Sequence, residues 1–451
     1  MRKKLEFKEL LLIGLLLFGL FFGAGNLIFP LQLGQESGSN LTPVTIGFLI
    51  SGVGLPIIGV AAVALADSKS LFELSMPAGR FFAYFFTVLL YITIGPGFAM
   101  PRTASMSYET SLADIVAGSS MSNTLALLLF SLIFFVLAYY FSSNRANLID
   151  VIGKYMTPLL LILLGVLVIL GLINPMGPVA GHMPTEKYIT SPFTKGIIDG
   201  YNTLDAPASL AFAVIIIAEI KRMRISEPSA IATETLKASL VCLVGMSMVY
   251  VALAYLGSTS HLIMEAGNNG AYILALISNH YLGRFGHLML GLIVTIACLK
   301  TSIGLITACS EIFLEIFDNK ITYKQYCMIF AVVSFLIANL GLSKIIALSL
   351  PVLLFLYPLS IALIFLAMTS IKIGKRPTVY KWTLAFTAVI AFFDFLKATP
   401  EFISGSALSQ SLLKLPASLP GFELGFAWII PALIGFILGL IIDNTRNKSR
   451  I

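Results

Sequence analysis

Three polar side chains interrupt long apolar runs and carry most of the chain's chemical possibilities: Asn26, Asp205 and Lys300. Asn26 lies in Phe21-Phe22-Gly23-Ala24-Gly25-Asn26-Leu27-Ile28-Phe29-Pro30. Glycine costs a helix about 1 kcal/mol relative to alanine, so two glycines two residues apart make unwinding cheap. Backbone groups freed inside an apolar layer then need an ion, a ligand or a neighbouring helix. The stretch is either a packing notch or a binding site made of backbone. Asp205 follows Asp199-Gly200-Tyr201-Asn202-Thr203-Leu204 and precedes Pro207. It lies about ten residues into its run, roughly 15 Å along a helix. A carboxylate at that depth costs roughly 2.5–3.5 kcal/mol on insertion scales, which makes Asp205 a functional candidate. The competing reading is a capping aspartate beside Asn202 and Thr203. Lys300, in Cys298-Leu299-Lys300-Thr301-Ser302-Ile303-Gly304, is the most unusual residue at its depth. No constellation for catalysis accompanies these groups. His182, His261, His280 and His287 are expected outside or at the outer boundary of the spans, and no His-Glu-x-x-His occurs. Cys242, Cys298, Cys309 and Cys327 lack metal-ligand spacing and read as small apolar residues. The expected chemistry is binding, with no enzyme activity, no cofactor and no metal beyond a coupling ion.

The elements that hold these groups are membrane spans. Of 451 residues 58% are hydrophobic and 11% charged, against about 25% charged in a soluble domain. Mean hydropathy is +0.94. Spans of roughly 20 apolar residues fall near Leu10–Leu31, Thr42–Ala66, Phe81–Ser107, Thr124–Phe141, Val151–Ile173, Gly196–Ile220, Ala232–Leu256, Gly286–Phe317, Tyr326–Leu340, Ile345–Ser370, Trp382–Leu396 and Leu424–Ile442. The expected class is an all-α polytopic membrane protein of about 12 transmembrane helices. Arg2-Lys3-Lys4 opens the chain as in a signal peptide, but Asn26 and Pro30 in the run, and no small-residue cleavage site, make it a retained first helix. Twelve crossings put both termini on one side. Of the 29 Lys and Arg residues, 20 then sort to that side and 7 to the other, leaving Lys237 and Lys300 within spans. The excess of basic loops predicts cytoplasmic termini. The +7 charge is therefore a topology signal and predicts no nucleic-acid partner. Short loops predict no separate soluble domain, and no obligatory protein partner is expected.

Further along, Gly95-Pro96-Gly97-Phe98-Ala99-Met100-Pro101-Arg102 interrupts the third span, since two prolines remove helical donors. Arg102 and Glu109 read as a solvated rim pair at the outer end, with an outer gate as the alternative. The apolar piece after Asn268-Asn269 is too short to cross and suits a lid over the outer mouth. Pro351 and Pro358 bend the tenth span.

The interruptions in spans 1 and 6 have five-span spacing, so the second runs opposite to the first. That is the layout of a five-plus-five inverted repeat. Paired broken helices point to a transporter's binding site. Half-helix N-termini attract a carboxylate and C-terminal carbonyls attract cations, which together suit a zwitterion such as an amino acid.

Gly23 to Pro30, Gly95 to Ser105, Asn202-Thr203-Leu204-Asp205 and Ser343-Lys344-Ile345-Ile346-Ala347-Leu348-Ser349-Leu350-Pro351-Val352 resemble the bacterial branched-chain amino acid carriers, the system II cation symporters, over essentially the full length. Cys298 to Ser310 also resembles that family's eighth span. The resemblance implies the amino acid–polyamine–organocation superfamily and the leucine-transporter type fold. It implies a transport core over 1–370, with repeats near 10–173 and 196–370, and two added helices over 371–451. It further implies import of leucine, isoleucine and valine across the bacterial inner membrane, coupled to sodium or protons. The alternative is a broader neutral amino acid carrier that includes methionine and needs no sodium.

Carried over by residue, the resemblance places the substrate carboxylate on the amides of Ala24 and Gly25, with the Asn26 side chain beside them. Tyr201, Asn202, Thr203 and Asp205 line the opposing break, and Phe21, Phe22 and Phe212 wall the aliphatic pocket. The coupling-ion site is formed by carbonyls of Gly19 and Phe22 with Lys300 and Thr301 of span 8. Lys300 there is a departure from a hydroxyl-lined sodium site. Its ammonium stands in for sodium as a fixed or exchangeable charge. Alternatively span 8 is rotated by one residue and Thr301 still binds sodium.

Overall fold

In the computed structural model, the described residues are 4–118, 120–144, 149–179, 181–263, 270–317, 320–422 and 424–448. Arg2, Lys3, Asn268 and Asn269 of the sequence reading lie outside them, as do Arg145 and Arg450 among the basic residues counted to the terminal side, and Ala24 is described by its backbone alone. The main helices are α1 (Phe7–Phe21), α2 (Ala24–Ser37), α3 (Leu41–Leu49), α4 (Leu55–Leu65), α5 (Arg80–Ile92), α6 (Ala99–Ser111), α7 (Asn123–Ser142), α8 (Thr157–Ile173), α9 (Pro192–Tyr201), α10 (Asp205–Arg222), α11 (Pro228–Thr259), α12 (Gly270–Leu282), α13 (Arg284–Ile316), α14 (Tyr323–Ala338), α15 (Leu342–Ile373), α16 (Pro377–Ala398) and α17 (Ile429–Lys448).

Among the described residues nine helices are long and apolar enough to cross a membrane, or ten when α9 and α10 count as one bent span. One of the nine is the run Gly25–Leu65, 41 residues long. A straight helix of that length would reach about 60 Å, twice the hydrocarbon thickness. Gly38, at φ +48°, turns the chain there and divides the run into two legs. With that division and the shorter apolar α14, the helices account for the twelve expected spans. The chain is a multi-pass membrane protein.

Two spans are broken where the sequence bends them. In the first, the Phe22 amide still donates to the Phe18 carbonyl at 2.8 Å, after which Phe22 and an extended Gly23 leave the helix. The break is two residues long, and Gly25 and Asn26 already belong to the first turn of α2. In the sixth span, Leu204 takes the left-handed conformation at φ +65°, and α9 and α10 meet at 46°. The third span widens over Thr93–Gly97, where Gly95 leaves helical geometry ahead of Pro96.

Close packing fixes α2 against α11. A Cβ on Gly34 would lie 2.0 Å from the Ala254 carbonyl oxygen, and one on Gly257 would lie 2.0 Å from that of Leu31. The two helices therefore touch backbone to backbone, as small residues permit within membranes. α12 packs on α2 and α13, and its Ala271, Tyr272 and Ala275 wall a cavity at the far end of the bundle, the end opposite the start of α1. This is the position expected of a lid.

Candidate functional site

The two breaks face each other and are tied by one polar knot. Asn26 sits three residues past Gly23, so its Oδ1 accepts the Gly23 amide at 2.9 Å and satisfies one unpaired donor of the α2 N-terminus. Its Nδ2 donates to Asp205 Oδ2 at 2.6 Å and to the Tyr250 hydroxyl at 2.5 Å. The Tyr250 hydroxyl in turn donates to Asp205 Oδ2 at 3.3 Å. All three side chains are buried. Asp205 is the first residue of α10, where the helix dipole favours a carboxylate. Tyr250 comes from α11, whose span shows no polar interruption. Only its position beside an amide and a carboxylate, which the fold supplies, distinguishes it from an ordinary core tyrosine.

A cavity of about 60 Å³ lies between the breaks. Phe21 and Phe212 form one wall, with ring centroids 5.5 Å apart in an edge-to-face arrangement. Gly23, Gly25, Asn26, Thr203, Asp205 and Thr301 also border it. Ligand pockets usually span 300–1,000 Å³, so this one is contracted and must open to admit an amino acid. Of the anticipated walls, Phe22 turns away, stacking on Phe18 at 4.9 Å and packing near Tyr250 at 6.1 Å. Tyr201 faces a different cavity and stacks on Tyr357 at 4.5 Å. Asn202 borders neither cavity.

Lys300 is fully buried, and its ammonium donates to the carbonyls of Gly19 at 2.8 Å and Phe22 at 2.6 Å. Gly19 lies in the last turn of α1 and Phe22 caps it, so the break leaves both carbonyls open. The Phe18 and Phe22 rings lie 5.8 and 5.6 Å away, in reach for cation–π attraction. Thr301 Oγ1 donates to its own helix at Ala297 O, 3.1 Å, and stands 3.5 Å from Leu20 O.

Arg102 is where the sequence reading and the structure part. Instead of a rim, it occupies the floor between the central cavity and a far-end vestibule of about 300 Å³ that also holds Glu109 and His287. Its guanidinium lies 5.8 Å from the Phe29 ring centre, and a Cβ on Gly25 would be 2.8 Å from its Nη2. The widened third span at Gly95–Gly97 turns α6 inward and carries Arg102 to the α2 N-terminus. The Pro-Gly run ahead of Arg102 was the available signal.

Two breaks, an amide-lined half-helix terminus and buried counter-charges on facing helices define a transporter of the leucine-transporter type fold. Solved structures agree in fold. The nucleobase-cation-symport-1 family transporter Mhp1 superposes with TM-score 0.59 at 14% identity, over 97% of this chain and 93% of that one. MhsT, solved with L-phenylalanine, superposes with TM-score 0.57 at 16% identity, over 95% and 98%. Residues 6–446 match the family described as branched-chain amino acid transport protein. The chain is 40% identical to branched-chain amino acid permease BrnQ of Lactobacillus delbrueckii subsp. lactis and 39% identical to BrnQ of Bacillus subtilis, in each case over all of both chains. Bacillus subtilis BraB is 38% identical over 100% of this chain and 99% of the relative. This chain belongs to the branched-chain amino acid transport protein family, a family of transporters rather than enzymes.

Proposed function

We propose that the protein imports leucine, isoleucine and valine across a bacterial cell membrane, with both termini in the cytoplasm, and that Lys300 replaces sodium as the cation of the span 1–span 8 site. The observation that carries this reading is the pair of facing breaks with Phe21 and Phe212 between them. The substrate carboxylate binds the first-turn amides of Ala24 and Gly25, because the α10 N-terminus already holds Asp205. Arg102 stands beside that amide pair and adds a counter-charge. The substrate ammonium binds near Asp205 and Thr203, and the aliphatic side chain packs on the phenylalanine walls. An apolar wall separates aliphatic side chains by only about 1–3 kcal/mol per methylene, so overlapping use of the three is expected, with methionine as a weaker fourth.

Lys300 bonded to Gly19 and Phe22 supports coupling to protons, or uncoupled exchange, over coupling to sodium. An inward charge crossing 100 mV is worth about 2.3 kcal/mol, enough for roughly fortyfold accumulation. The test is uptake of radiolabelled leucine into proteoliposomes with sodium and proton gradients imposed separately. The expected result is uptake indifferent to sodium, with the response to a proton gradient lost in Lys300→Ala. Sodium-driven uptake would overturn the role of Lys300 and return the site to Thr301. Failure of all three branched-chain substrates under every gradient would overturn the substrate.

A further inference from the structure

A further cavity lies beside the central one, nearer the far end of the bundle. It is a half-open space of about 350 Å³ between α9, α15, α16 and the segment before α17. Four aromatic side chains line it, Tyr201, Tyr357, Phe422 and Trp428, together with Lys195 and Asp394. Asp394 is only 5% exposed, and among the described residues Lys397 is the cation whose charge acts on it. Lys397, one turn along, also borders the space, and its ammonium lies over the Phe422 ring at 5.0 Å from the centre. A carboxylate this buried is costly unless cations pair with it. Within a membrane segment such a residue marks function by default.

The lining specifies the partner. Asp394 takes an ammonium, and the aromatic faces attract the same charge. Lys195 offers a cation to an anionic group on the same ligand. Leu354, Ile361 and Trp428 supply an apolar wall. The volume falls in the range of small-molecule pockets and exceeds the central cavity severalfold. We infer that this cavity is a second site for an apolar zwitterion, an α-amino acid held with its ammonium on Asp394 and its carboxylate on Lys195, and that its occupancy governs transport. The route is short. Tyr201 closes α9 and stacks on Tyr357 of α15 at 4.5 Å, three residues before the left-handed Leu204 where the span unwinds. A ligand packed against this pair holds α9 against α15 and slows the rearrangement that opens the central cavity. The inference rests on the amino acid transport reading for its effect on uptake, but not for binding itself.

Equilibrium binding of radiolabelled leucine to the purified protein tests it. Two sites per chain are expected in the unaltered protein. Asp394→Asn should weaken one of them at least tenfold and leave the other, while Asn26→Leu should remove only the other. Lys195→Gln should repeat the Asp394→Asn result, which guards against a folding fault in either variant. Asp394→Asn should also relieve inhibition of uptake at high external leucine. An aminolipid headgroup carries the same ammonium and an anionic neighbour. Phosphatidylethanolamine nanodiscs that abolish the Asp394-dependent leucine site would assign it to lipid and overturn the amino acid as its ligand. A single site indifferent to Asp394→Asn and lost in Asn26→Leu overturns the inference. A single site lost in Asp394→Asn and kept in Asn26→Leu instead overturns the central substrate assignment and leaves this one standing.

Discussion

At the scale of residues, the centre is held by groups that bind each other. Asn26 spends its oxygen on Gly23 and its two N–H groups on Asp205 and Tyr250. It therefore clamps the two half-helices as well as standing beside the proposed substrate. The Tyr250 hydroxyl accepts from Asn26 and donates to Asp205, so Tyr250→Phe leaves one donor and one acceptor short in a dry site. A buried group left unpaired costs about 1–3 kcal/mol. The expected outcome is leucine uptake reduced ten- to a hundredfold together with a modest fall in unfolding temperature, limited because the ring still packs against Phe22 and Phe48. Uptake by Tyr250→Phe and by the unaltered protein, at equal reconstituted amounts, checks it. A loss confined to unfolding temperature would assign Tyr250 to the core alone.

At the scale of elements, packing geometry sorts the glycines that sequence cannot. Gly34 meets the Ala254 carbonyl within 2.0 Å of where a Cβ would stand, whereas Gly165 on α8 has nothing within 4 Å. Gly34→Ala is expected to push α2 off α11 and abolish a folded, monodisperse protein. Gly165→Ala is expected to be neutral or to stabilise by up to about 1 kcal/mol. Detergent size-exclusion profiles and unfolding temperatures of the two variants check this. The sequence was legible where backbone chemistry speaks locally. Gly23 with Gly25, and Leu204 amid Asn, Thr and Asp, announce unwinding, and both spans break there. The depth of Lys300 announces a special partner, because lipid offers none. Side-chain direction around a break was not legible. Tyr201 and Thr203 are two residues apart, yet they face different cavities, since α9 ends at Tyr201 and the chain turns through Asn202 and Thr203. Arg102 read as a rim residue because span ends normally carry arginine, and the tilt of α6 that brings it inward depends on tertiary packing.

At the scale of the whole molecule, the far end behaves as one tied body. The segment 182–188 crosses from α2 to α9. The Thr185 amide donates to Glu36 O at 3.0 Å, the Ser39 amide donates to His182 O at 3.1 Å, and Asn40 Nδ2 donates to Tyr188 O at 2.9 Å. Lys187 completes the strap. Its ammonium lies 3.4 Å from Glu36 Oε2 at the end of α2 and 3.4 Å from Asp199 Oδ1 on α9, while the Tyr188 hydroxyl donates to Asp199 Oδ2 at 2.7 Å. Both carboxylates are buried. The far-end halves of the two broken spans are thus joined by a single cation and should move together when the central cavity opens. Lys187→Met removes that cation and leaves two carboxylates facing each other, so the unfolding temperature should fall. The cost is about 1–3 kcal/mol, below that of a dry ion pair because the lysine head is partly in water. Adding Glu36→Gln and Asp199→Asn to that variant removes the repulsion and should restore the unfolding temperature. If the strap serves movement as well as stability, the triple variant will bind leucine with ordinary affinity yet transport it several-fold more slowly, because α2 and α9 no longer shift as a unit. Full uptake in the triple variant would confine the strap to holding the far end together.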